Sequence, residues 1–254
     1  MIKVVLVGSG NVAYHMHRAM LKAPGISLLQ LVARRPEALS EFDTSLPRTG
    51  LEGPLEQADV IVLAVSDTAI GEVARKLPGL DALMVHTSGA SGVGVLGNQR
   101  KKAVMYPLQT FSKQRELTFQ EVPLIIESER KEDSALLHRM ASALSNTVVE
   151  LNTLQRKYLH LAAVFLNNFS NHMVYLGESI CQEQEIPMEI LHPLIRETWA
   201  KLETLSAREA QTGPARRGDR QTQREHLGLL ADSSKKELYK KISDSIANTY
   251  DQEL

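Results

Sequence analysis

The chain has 254 residues, 43% hydrophobic and 23% charged, which is the composition of a soluble globular protein. Its 29 Lys and Arg against 30 Asp and Glu leave a net charge of −1, which argues against nucleic-acid binding as its main work. No apolar run is longer than that at 60–65, which is too short for a membrane span. Met1 leads straight into a strand, so no signal peptide is expected. The lone Cys181 excludes an internal disulfide and argues against a Cys-based metal site, and a cytoplasmic protein is expected.

Ile2-Lys3-Val4-Val5-Leu6-Val7 reads as a buried strand. Gly8-Ser9-Gly10-Asn11-Val12-Ala13 follows with the spacing G-x-G-x-x-A and opens a helix that runs to about Leu21. A strand, a tight glycine turn and a helix start make a dinucleotide site. Gly8 turns the chain sharply, Gly10 lets a pyrophosphate reach the backbone, and Ala13 lets the helix pack close to the strand. Gly8, Ser9, Gly10, Asn11 and Val12 are therefore expected cofactor contacts. The second strand, Ser27 to Ala33, ends in Arg34-Arg35-Pro36. An NAD site usually carries Asp or Glu there, whereas two guanidiniums suit a 2′-phosphate. NADP(H) is the expected cofactor; the competing reading makes Arg34 and Arg35 solvated surface charges.

Further strands are expected at Asp59 to Val65, Ala82 to His86, Ala103 to Tyr106, Val122 to Glu127 and Thr147 to Leu151. Strands alternating with helical stretches predict a mostly parallel Rossmann-type α/β sheet. In such sheets ligands bind beyond the carboxyl ends of the strands. Val65 and Ser66 close the third strand and His86 and Ser88 the fourth, and all four are expected cofactor contacts. Tyr106, Gln109 and Thr110 follow the fifth strand and are expected to meet substrate. From Thr153 onward only helical patterns remain, four or five of them. The expected division is a dinucleotide-binding domain at 1–151 and an all-α substrate and dimerisation domain at 152–254.

Within 159–176 most side chains are apolar, and Asn167 and Asn171 each fall within about 20° of His160 on a helical wheel. This narrow polar line predicts a largely buried helix with catalytic work. His160 would donate a proton, and the two amides would orient substrate. The alternative is a set of bonds to neighbouring helices or to a second subunit. Further along, Glu197 sits among apolar neighbours, and Thr212 and Arg217 lie in a Gly/Arg-rich break. All three are expected substrate contacts. His226 and Cys181 show no partner at recognisable spacing and read as structural.

The order Gly8-Ser9-Gly10-Asn11-Val12-Ala13, His86-Thr87-Ser88-Gly89, Tyr106-Pro107-Leu108-Gln109-Thr110-Phe111, Leu159-His160-Leu161-Ala162-Ala163 and Gln211-Thr212-Gly213-Pro214-Ala215 spans nearly the whole chain. It resembles a bacterial family with a Rossmann-like NADP-binding domain and a C-terminal helical domain of unknown function. That family is similar in layout to ketopantoate reductase, pyrroline-5-carboxylate reductase and the 6-phosphogluconate dehydrogenase superfamily. The resemblance implies NADP(H) chemistry between domains on a small-molecule substrate, and a homodimer built through the helical domain. The catalytic Lys-then-Asn pattern of ketopantoate reductases is not matched, because Leu161 stands one turn after Lys157. The expected activity is hydride transfer between nicotinamide and a small carbonyl or imine acid, with a 2-oxo acid such as ketopantoate first among substrates. The alternatives are a non-catalytic NADP sensor and a deazaflavin-coupled NADP reductase.

Overall fold

The computed structural model describes residues 1–43, 45–77 and 81–250. They form two compact units, Met1–Phe169 and Ser170–Leu254.

The first unit is built on β1 (Ile2–Val7), β2 (Ile26–Val32), β3 (Arg48–Thr49), β4 (Val60–Leu63), β5 (Leu83–His86), β6 (Lys102–Pro107), β7 (Leu124–Ser128) and β8 (Val148–Glu150). Their order across one sheet is β3-β2-β1-β4-β5-β6-β7-β8. Every neighbouring pair is parallel except β6 and β7. Parallel neighbours need a crossover. Helices α1 (Asn11–Lys22), α2 (Ile70–Lys76) and α3 (Lys131–Leu144) supply those from β1, β4 and β7. Residues 108–123 form only a short 3₁₀ turn at Phe119–Glu121, so the chain returns as an antiparallel hairpin. The seven expected strands are present with ends shifted by a few residues. β3 is an eighth, two residues long, in which Arg48 and Thr49 pair with Leu31 and Val32. It carries no apolar run, which left nothing to read in the sequence.

Alternation along β1 splits the core between the two faces of the sheet. Val4 and Leu6 pack with Met16 and Met20 of α1 and Leu137 and Met140 of α3. Val5 and Val7 pack with Ile70 and Val73 of α2. Both faces are covered, which explains why the strands read as continuous apolar runs.

After β8 comes α4 (Thr153–Ala163), started by a capping box between Asn152 and Gln155. A π-helical turn, Val164–Phe169, follows and ends the first unit. The second unit holds α5 (Ser170–Glu183), α6 (His192–Lys201), α7 (Ala207–Ala210), α8 (Arg220–Leu229) and α9 (Ser233–Tyr250). One more helix is present than expected, because α7 is a single turn with its own Ser206–Glu209 capping box. Among the described residues of this unit, only Cys181, Ala215, Ser243 and Tyr250 are buried.

The expectation of a largely buried helix at 159–176 is not met within one chain. Leu161, Phe165, Leu166, Phe169, Met173, Val174 and Tyr175 are exposed. Their apolar pattern records a surface that this chain does not cover by itself. Among the described residues no helix is long and apolar enough to cross a membrane.

Candidate active site

β1 is bonded to β2 on one side and to β4 on the other. Their crossovers leave in opposite directions and open a crevice at the carboxyl ends of the strands. There the Gly8 N–H donates to the Val32 carbonyl, and the Ala64 N–H donates to the Val7 carbonyl, each at 2.8 Å. Gly8 has φ of +137°, and a Cβ there would stand 2.1 Å from the Ala64 carbonyl oxygen. No L side chain fits that turn.

The crevice is a cavity of about 550 Å³, and Gly8, Ser9, Gly10, Asn11, Val12, Arg34, Arg35, Val65 and Ser66 all line it. Gly10 is the N-cap of α1, with no side-chain cap and no acidic residue in the first turn. The positive end of the helix is thus left for an anion. A Cβ on Gly10 would meet nothing within 4 Å, so the backbone is open on that side. Arg34 and Arg35 are exposed, and their guanidiniums make no hydrogen bond or ion pair among the described residues. The Asn11 amide donates to the Phe111 carbonyl at 2.8 Å, which ties the loop after β6 to the start of α1.

A second group forms where β5, β6 and α4 meet. The Tyr106 hydroxyl lies 3.2 Å from Nδ1 of His160, and the two rings meet edge to face. Gly89 is wedged against both: a Cβ there would lie 2.7 Å from His160 Nδ1 and 2.7 Å from the Tyr106 ring. Burial raises the Tyr106 phenol above its ordinary range, and the Asp67 carboxylate adds to this. The phenol therefore stays protonated near neutral pH.

His86 and Ser88 do not line the cavity. His86 is 0% exposed, and its Nδ1 accepts from the Ser88 N–H at 3.2 Å. Burial, with help from the Arg156 cation, pushes its imidazole down to about 4. It is a neutral acceptor that shapes the loop. The Ser88 hydroxyl oxygen accepts from the N–H groups of Ala90 and Ser91, which closes the turn.

The residue that sequence reasoning missed is Arg156, which is 0% exposed. Its Nη1 donates to the carbonyls of Ser88 (3.0 Å), Gly89 (3.0 Å) and Ser91 (2.7 Å). Its Nη2 donates to Glu127 at 2.7 Å, and the Thr153 hydroxyl holds the other oxygen of that carboxylate at 2.6 Å. An arginine on a helix ordinarily reads as a surface charge. The available signal was its place four residues before His160, on one face of α4.

The remaining expected contacts are dispersed. Gln109 and Thr110 are exposed, with the Gln109 side-chain Oε1 accepting from the Thr110 N–H at 2.8 Å. Asn167 is exposed on the π turn. That turn closes its bonds over five residues instead of four, so the wheel angle linking His160 to Asn167 and Asn171 does not carry across it. In the second unit, Asn171 is exposed on α5, and Glu197 pairs with Lys201 at 3.7 Å on α6. Thr212 lines a separate apolar cavity of about 530 Å³ together with His226 and Tyr239, whose Nδ1 and hydroxyl are 2.9 Å apart. Arg217 is exposed in the loop before α8. Among the described residues no cluster of His, Cys, Asp or Glu is arranged to hold a metal ion.

Fold and crevice define a Rossmann-type dinucleotide-binding protein with a helical C-terminal unit. Residues 122–246 match a domain of unknown function, DUF2520. A presumed NADP oxidoreductase of Bacteroides fragilis is 38% identical, with a TM-score of 0.90, over 97% of this chain and 98% of that one. The chain belongs to this family of Rossmann-fold proteins with a C-terminal DUF2520 domain. A Thermotoga maritima protein shares the fold at 20% identity and a TM-score of 0.75, over 98% of this chain and 99% of that one. An imine reductase of Myxococcus stipitatus, solved with NADP+, does so at 13% identity and a TM-score of 0.63, over 98% and 93%. The comparison with curated proteins returns no match.

Proposed function

We propose that the chain is an NADP(H)-dependent oxidoreductase acting on a small carbonyl or imine acid, with a 2-oxo acid such as ketopantoate as first candidate. The observation that carries this reading is the convergence of the glycine turn, the open start of α1 and two exposed guanidiniums on one cavity. The name of the Bacteroides fragilis protein and the NADP+ held by the imine reductase support it. The first-turn N–H groups of α1 receive the pyrophosphate, and Arg34 and Arg35 receive the 2′-phosphate. Bound there, the nicotinamide supplies or accepts the hydride. His160 donates a proton to the substrate oxygen or nitrogen as charge develops on it. Tyr106, bonded at Nδ1, holds the ring so that Nε2 is the working atom. Gln109, Thr110 and Asn167 are proposed to meet substrate.

The functional division is placed at 1–151 and 152–254, with the helical part serving substrate binding and dimerisation. A second copy of the chain is the proposed cover for the apolar surface of α4, the π turn and α5. The scarcity of buried side chains beyond Phe169 supports this, since a unit with so little core gains little from folding alone.

The test is NADPH consumption against a panel of 2-oxo acids and cyclic imines, with His160→Ala alongside. Turnover that prefers NADPH and falls by about 100-fold or more in the variant supports the assignment. Undiminished turnover in the variant removes His160 from its role. Tight NADPH binding without turnover on any substrate of the panel favours a cofactor sensor instead.

A further inference from the structure

We infer that Arg156 is a positioning residue, which sets His160 against Tyr106 by clamping the loop between them; the inference rests on the proton-donor reading of His160. A guanidinium out of water costs several kcal/mol unless it is fully paired. Arg156 is fully buried; one carboxylate and three main-chain carbonyls receive its two Nη groups, while its Nε is left without a hydrogen-bond partner. An apolar side chain could anchor α4 at least as well. What the fork adds is direction: it turns the carbonyls of Ser88, Gly89 and Ser91 inward onto a single atom. Gly89 is the joint. Its carbonyl accepts from Arg156, while its Cα faces His160 Nδ1 and the Tyr106 ring without room for a methyl group between. Arg156 and His160 stand one turn apart on the same face of α4. Any tilt of that face relative to the loop changes the 3.2 Å approach of Tyr106 to His160. Glu127, held by Thr153, fixes the far end of the fork.

Arg156→Lys in the full chain keeps the charge and loses the fork. The expected result is a kcat reduced by about tenfold or more, with KM for NADPH unchanged within about twofold. In the His160→Ala background the same change has no further effect, because the group it positions is gone. A second readout needs no turnover. The His160 ring resonance, assigned by its loss in His160→Ala, shifts in Tyr106→Phe, and Arg156→Lys shifts it in the same direction. Should Arg156→Lys fail to fold, Glu127→Gln replaces it, with the same expectations. Equal and additive losses with and without His160, or a ring resonance that responds to Tyr106→Phe but not to the Arg156 or Glu127 change, would overturn the inference. Absence of turnover in the wild-type chain counts against the enzymatic reading, and the ring resonance then decides the positioning role by itself.

Discussion

Gly8 and Gly10 stand two residues apart, and alanine at each is expected to fail in a different way. At Gly8 the added methyl carbon would lie 2.1 Å from the Ala64 carbonyl oxygen, and φ of +137° is foreign to L residues. The backbone strain costs about 1–3 kcal/mol, and relieving the overlap with main chain costs about as much again. Together they take about 3–5 kcal/mol from a total stability on the order of 5–15. At about 2–4 °C per kcal/mol for a chain of this size, Tm falls by roughly 10–15 °C. At Gly10 the backbone has φ of −79° and ψ of −176°, which alanine adopts freely. A Cβ there meets no atom within 4 Å, so Tm should move by no more than about 2 °C. That methyl, however, stands where the pyrophosphate must approach. NADPH affinity should drop by about tenfold or more, equivalent to about 1.4 kcal/mol. Thermal unfolding and an NADPH fluorescence titration of both variants read the two effects separately. A Gly8→Ala protein with wild-type Tm would refute the steric argument. A Gly10→Ala protein with wild-type NADPH affinity would remove this cavity as the cofactor site.

Arg34→Ala and Arg35→Ala should each weaken NADPH by about tenfold and leave NADH unchanged, since a lost phosphate contact costs about 1.5 kcal/mol; parallel titrations check this, and equal losses for both cofactors would place neither Arg at the 2′-phosphate. Gly89→Ala should separate Tyr106 from His160 and reduce kcat about tenfold or more while NADPH affinity holds, as steady-state kinetics beside a binding titration would show. The His86 imidazole sits at about 4 when folded against 6.5 as its ordinary value, so the unfolded chain takes up the proton first as pH falls. Stability is then fully present above about 6.5 and declines until about 4, by at most about 3 kcal/mol. Burial lowers His17 as well and acts in the same direction, so the His86 share is read as the difference between wild type and His86→Asn in urea unfolding at several pH values. Light scattering should give two copies per particle for the wild type. Leu166→Glu, at a side chain 65% exposed in one chain, should give one, and an unchanged mass would move the interface elsewhere.

Different parts of the molecule were legible to different degrees. β1, the glycine turn and α1 could be read directly, because each depends on neighbours within a few residues: a buried apolar run, a spacing of glycines, a helix start without a competing cap. Nine of the expected cofactor contacts could be grouped because strand ends in a parallel sheet meet at one edge. The helical wheel at 159–176 misled for a local reason, since the π turn at Val164–Phe169 changes the period on which the wheel depends. Its apolar residues were correctly recognised as apolar, yet burial is a property of what lies opposite, and a single chain leaves them exposed.

By itself the sequence determined the α/β class, the position of the dinucleotide turn, the basic end of the second strand and the change to helices after residue 150. These follow from periodicity and from residue chemistry over short spans. Only the tertiary structure decided that His86 is a buried neutral acceptor, that Tyr106 meets His160, and that Arg156 lies beneath the loop joining them. The last two contacts link residues 54 and 68 positions apart. Whether a polar side chain is a solvated charge or a buried clamp depends on which partners the folded chain brings to it, and no local pattern encodes that.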